Sequence, residues 1–195
     1  MKKTILLLIV SLGFHASFGG PKPHARPVIS DEDGQKKSDG LVVEFKLNRI
    51  QGGRYRKPYV AVWLEDSDGF PVKTAVLWVQ TEQPGPRWHR DLTRWYRNDR
   101  MRKVVEQTDL IDGVSGATRG PGEYQARFDG TDNNGDPLPD GEYLLCLEVA
   151  RENGTYQIVR KKIDLSDREV PEESLEGNIE LGNIRYRYSR PTDNQ

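Results

Sequence analysis

The sequence predicts an all-β fold, an antiparallel β-sandwich with one short inserted helix at about residues 88–100. Three observations predict it. Apolar residues gather in short runs with strand-like alternation, Asn-Gly and Asp-Gly pairs punctuate those runs, and a single stretch carries helical spacing.

The first residues are not part of that fold. Met1-Lys2-Lys3 is basic, an apolar run follows from Ile5 to Leu12, and Ser17-Phe18-Gly19 offers small residues for cleavage, so residues 1–19 read as a secretory signal peptide. That run is too short to span a bilayer and no later one approaches the required length, so no transmembrane segment is expected after cleavage. Residues 20–40 are polar and proline-bearing, from Pro21-Lys22-Pro23 to Asp39-Gly40, and cannot bury enough surface to offset their ordering entropy. They are expected to form a flexible tether ahead of one domain over 41–189, with a disordered tail at 190–195.

Within the domain the strands follow in order. Leu41 to Leu47 and Tyr59 to Glu65 come first, and Asp68-Gly69 turns the chain into Thr74 to Val79. Tyr124 to Phe128, Glu142 to Ala150, Thr155 to Leu165 and Asn178 to Tyr188 complete the set. Asn134-Gly135, Asp140-Gly141 and Asn153-Gly154 mark turns between them. The helix is expected from Arg87 to about Arg100. Trp88, Leu92 and Trp95 form one face for the sandwich, and Arg87, Arg90, Arg94 and Arg97 make a basic stripe beside it.

Composition excludes several classes. Without Lys2 and Lys3 the 29 basic residues fall to 27 against 30 acidic ones, a balance of −3 that points to no nucleic-acid partner. His15 lies in the signal and His24 in the tether, leaving His89 alone for the domain, too few for a histidine triad or a multi-histidine metal site. The single Cys146 sits in a strand and reads as an inward thiol. Asp129, Asp132, Asn134 and Asp136 are rich in oxygen, but Pro137 and the spacing do not fit a calcium loop, so no metal is expected. The chain is not expected to turn over a substrate alone.

One short string points to chemistry. Asp112-Gly113-Val114-Ser115-Gly116-Ala117-Thr118 joins an acid, small residues and a hydroxyl. It resembles the D-x-x-[S/T]-G-A-T acceptor signature of the FAD:protein FMN transferases. The resemblance implies FMN joined covalently to Thr118 through a phosphodiester, Asp112 near the Mg²⁺ of the transfer, and Ser115, Gly116 and Ala117 leaving the approach free of bulk. Trp88 or Trp95 is then a candidate platform for the isoalloxazine ring, and Arg119 or Arg94 a partner for the phosphodiester.

A second resemblance covers more of the chain. Gly122 to Tyr143, with Asp129-Gly130-Thr131-Asp132-Asn133-Asn134-Gly135 at its centre, is similar to the immunoglobulin-like repeat of the flagellar hook-capping protein. With Tyr59 to Glu65, the Trp-rich middle and Gly177 to Gly182, the domain resembles a family of predicted periplasmic proteins often encoded near FMN transferases and membrane-bound reductases. The resemblance implies a periplasmic electron carrier, modified by an FMN transferase and reduced by a membrane-bound reductase or another periplasmic redox protein. The alternative from a different class is a periplasmic immunoglobulin-like interaction module with no cofactor.

Overall fold

The computed structural model describes residues 40–51, 55–80, 89–152 and 154–190. The signal peptide, nearly all of the tether, the tail beyond Arg190, Asn153 and Trp88 lie outside the described residues.

Two sheets face each other. One runs in the order β5(Gly122–Phe128), β1(Gly40–Leu47), β9(Leu181–Ser189) and β8(Glu169–Leu175). The other runs β4(Ser115–Ala117), β3(Pro71–Val79), β2(Tyr59–Glu65), β6(Glu142–Ala150) and β7(Tyr156–Asp164). Alternate residues of both sheets meet in the middle, among them Val43, Phe45, Val60, Val62, Leu145, Leu147 and Ile184, and form the main core. The expected sandwich is therefore present.

A third layer accounts for the unbroken apolar run of β2. Its other face, with Tyr59, Ala61 and Trp63, joins Leu77, Val79 and Cys146 in a second cluster, covered by Leu92, Trp95 and Ile111 from the chain between β3 and β4. All seven residues of β2 are buried because both of its faces are covered.

The helix is shifted from its expected place. α1 spans Thr93–Glu106, and the residues His89–Asp91 ahead of it form a single 3-10 turn. Its start is set from outside the helix. No side chain caps Leu92, but the Glu148 carboxylate on β6 accepts the Arg94 N–H at 2.9 Å and the Trp95 N–H at 2.8 Å. Leu92 and Trp95 pack inward as expected, and the helix then continues past Arg100 through residues with good helix propensity.

Two strands add to the expected set. β8 holds Pro171 and three glutamates and its pairing with β9 shifts between Val170 and Glu173, which suits an edge strand guarded against further pairing. β4 adds a short parallel pair to the antiparallel sandwich: Leu77 pairs with Ser115, Trp78 with Gly116 and Val79 with Ala117. The stretch from 80 to 114, with α1 in it, is the crossover that a parallel pair requires.

Candidate functional site

The motif is positioned by a relay of polar contacts that begins in α1. Arg102 is wholly buried, and its guanidinium donates to Asp99 Oδ1 at 2.9 Å, Glu106 Oε2 at 2.7 Å, and Thr108 Oγ1 at 2.8 Å. The helix ends at Gln107, whose φ of 56° is left-handed, and Arg102 also holds the Thr108 carbonyl at 3.1 Å. Asp109 Oδ1 then accepts the Ile111 N–H at 3.0 Å, starting the short helix α2(Ile111–Val114). That hydrogen bond, with help from Lys103, keeps the Asp109 carboxyl below the ordinary aspartate range.

Ile111 is buried in the outer cluster and Val114 packs against it, so α2 delivers Ser115 directly onto β3. Ser115, Gly116 and Thr118 are half-buried, while Ala117 and Arg119 are exposed. The motif thus lies along an edge of the five-stranded sheet as the described residues form it. Asp112 belongs to α2, but its side chain lies outside the described residues.

Neither glycine in the motif is required by the fold. Gly113 and Gly116 are not among the residues with positive φ. A Cβ added at Gly113 meets nothing within 4 Å, and at Gly116 it meets Trp78 Cδ1 at an ordinary 3.5 Å. Gly113 sits in the helical turn α2, and Ser115 and Gly116 lie in the strand that follows it.

Thr118 opens onto a groove of about 440 Å³ at the end of the sheet, walled by Tyr55, Arg56, Lys57, Tyr59, Gln80 and Glu152. The wall is braced from behind. Arg151 stacks 4.7 Å above the Tyr55 ring and pairs with the wholly buried Glu180 at 2.6 and 2.8 Å. Arg151 also donates to the Arg56 carbonyl, and Arg56 pairs with Glu152. Lys57 is exposed and has no ion pair among the described residues. Burial, then the nearby charge of Asp91, pushes the Tyr59 hydroxyl above the usual tyrosine range, against a smaller opposing effect of Arg56.

Of the two tryptophans expected to form the platform, Trp88 lies outside the described residues and Trp95 packs inside the fold. Trp95 is only 1% exposed and donates from Nε1 to Thr74 Oγ1 at 3.2 Å, so its ring has no free face for a surface ligand. Arg94 is held by the buried Glu65, and Arg119 lies 4.7 Å over the Trp78 ring and 5.7 Å over that of Tyr124, outside the lining of the Thr118 groove. Tyr55, Arg56 and Lys57 are not legible as site residues in the sequence. The one available signal is the alternation of rings and cations in Tyr55-Arg56-Lys57-Pro58-Tyr59 at the mouth of a strand.

Cys146 is buried beneath α1 with its Sγ 3.7 Å from Glu65 Oε1, and burial followed by that carboxylate pushes its thiol pKa far up, which keeps it protonated and inert. Among the described residues no group of three or more His, Cys, Asp or Glu is placed to hold a metal, and Asp132 accepts the Asn134 and Asp136 N–H groups of its own turn. No helix of the described residues is long and apolar enough to cross a membrane.

No curated protein and no solved structure matches the chain. A family model described as a predicted periplasmic protein (DUF2271) matches residues 40–183, from the first strand into the last and across the whole Thr118 edge. The chain therefore belongs to the DUF2271 family of predicted periplasmic proteins.

Proposed function

We propose that this protein is an extracytosolic electron carrier with FMN linked through a phosphodiester to Thr118. The observation that carries the reading is the position of Thr118, half-buried at the free end of edge strand β4 and opening onto the groove below Tyr59. An edge strand leaves its outer backbone unpaired, so a transferase has access to the hydroxyl without unfolding the sheet. The two glycines that packing does not require support the same reading, because they leave space for an approaching protein.

The residues present also suit the group. Arg56 and Lys57 supply positive charge for a phosphodiester, and the half-buried Tyr55 supplies aromatic surface for a flavin ring. In the attachment step Thr118 Oγ1 bonds to the FMN phosphorus of FAD, the pyrophosphate bond breaks, AMP leaves, and the hydroxyl proton passes to solvent. When bound, FMN supplies one- and two-electron redox chemistry, and the chain holds and screens it. Electrons are delivered by a membrane-bound reductase and passed to another periplasmic redox protein. The likeness of Gly122 to Tyr143 to an immunoglobulin-like hook-cap repeat supports a rigid scaffold role for the sandwich.

The test is coexpression in the periplasm with and without an FMN transferase. Wild-type protein is expected to gain in-gel flavin fluorescence and the mass of one FMN moiety only with the transferase, and Thr118→Ala to gain neither. A colourless wild type would remove the proposal, and a yellow Thr118→Ala would move the attachment to another residue.

A further inference from the structure

Three places outside the motif invite a function. The outward face of α1 exposes Met101, Val104 and Val105 beside Arg97 and Arg100, but nothing in the structure says what covers it. A groove between α1 and β7 gathers Arg94, Arg97 and Arg160, yet Arg94 is already committed to Glu65. The groove at Thr118 is different, because its charges, rings and bracing all converge on one hydroxyl.

We propose that Lys57 neutralises the phosphodiester of the Thr118-linked flavin and that Tyr55, backed by Arg151, is the surface on which its ring rests. This rests on the attachment proposed above. A phosphodiester carries one negative charge. The groove holds two cations, Arg56 and Lys57, and one anion, Glu152, a net charge of +1 that matches it. Arg56 is tied to Glu152, whereas the Lys57 ammonium is the exposed cation with no ion pair among the described residues, so it is the group free to turn toward a phosphate.

Tyr55 qualifies as the resting surface because it is pre-organised. Stacking of Arg151 fixes the ring from one side, and Arg151 is itself clamped by two hydrogen bonds to Glu180 on the connection into β9. Glu180 takes a third from Thr155 and is wholly buried, so the brace joins both sheets. A ring held in this way loses little freedom when a second ring packs on it.

The experiment uses full-length protein flavinylated by a coexpressed transferase. Wild type, Lys57→Gln, Tyr55→Leu and the α1 control Arg97→Gln are compared by intact mass, flavin emission, emission anisotropy and the phosphorus resonance of the diester. Tyr55→Leu is expected to brighten the emission severalfold and lower the anisotropy, because a quenching ring and a contact are both removed. Lys57→Gln, at an exposed position that the fold does not need, is expected to shift the phosphorus resonance while loading stays complete. Arg97→Gln is expected to change neither. Fully loaded variants with unchanged emission, anisotropy and phosphorus resonance would overturn the groove assignment alone. A wild type without the added mass would overturn the attachment and the assignment together.

Discussion

Arg94 grips the wholly buried carboxylate of Glu65 with two nitrogens, Nε to Oε1 at 2.9 Å and Nη2 to Oε2 at 2.5 Å. Asn98 Nδ2 at 2.7 Å and Trp63 Nε1 at 2.9 Å complete the ring of donors. This pair rivets α1 to the outer face of the sandwich. An arginine that looks like part of a solvent-facing stripe is therefore structural.

Replacing Arg94 by methionine is expected to cost about 3 kcal/mol, because a buried charge is left short of its main partner. The double variant Glu65→Gln with Arg94→Met is expected to regain much of that loss. Urea midpoints for the two variants decide it, and a loss below about 1 kcal/mol in the single variant would remove the buried-charge account.

The Glu148 carboxylate carries a pH signature. Burial raises its pKa above the ordinary glutamate value, against the smaller lowering effects of Tyr156, the Trp95 and Arg94 N–H groups and the Arg94 charge. A group whose folded pKa exceeds its unfolded one binds protons more tightly when folded. Its stabilising contribution is thus full below about pH 4.3 and is lost as the pH rises through the folded value. The stability of wild type relative to Glu148→Gln is expected to decline across that window, read from denaturation curves at several pH values. A flat difference would mean that the helix N–H groups compensate fully for burial.

Gly116→Ala separates packing from chemistry. The added methyl meets only Trp78 at 3.5 Å, so stability is expected to stay within about 0.5 kcal/mol of wild type. Covalent FMN loading, measured by mass, is expected to fall sharply if the small residue serves the approach of the transferase. Full loading would show that the glycine serves neither purpose.

Arg119 tests the neighbouring surface. Its guanidinium lies over Trp78 and Tyr124, whose rings meet edge to face at 4.9 Å. Arg119→Ala is expected to cost about 0.5–1 kcal/mol and to shift tryptophan emission to the red as Trp78 gains water. Flavin loading is expected to persist. Its loss would bring Arg119 back to the phosphodiester.

Much of the sandwich is legible in the sequence because its strands are long, apolar and separated by strong turns, as in Glu142 to Ala150 after Asp140-Gly141. The short or polar edges are not. Ser115-Gly116-Ala117 has little strand propensity and forms β4 because β3 offers a partner, and the Pro171 and glutamates of β8 read as loop. The start of α1 escapes local reading since its cap, Glu148, lies 54 residues from Arg94 in sequence. The motif itself is plain in the sequence, whereas its surroundings are not, because the Tyr55 segment and the Arg151–Glu180 brace come from distant parts of the chain.

The parallel direction of β4 decides which pole of the molecule carries the motif. A hairpin return from β3 would have carried the chain toward the Pro71 end of the sheet, leaving Thr118 beside the Glu65 turn. The long detour instead brings the chain back level with Leu77, so Ala117 finishes level with Val79, at the end of the sheet where β2 begins and β6 passes to β7. The motif's pole and the opposite pole, where Asn133 of the Asp132 turn bonds to the Val72 carbonyl, are thus set apart by the length of β3.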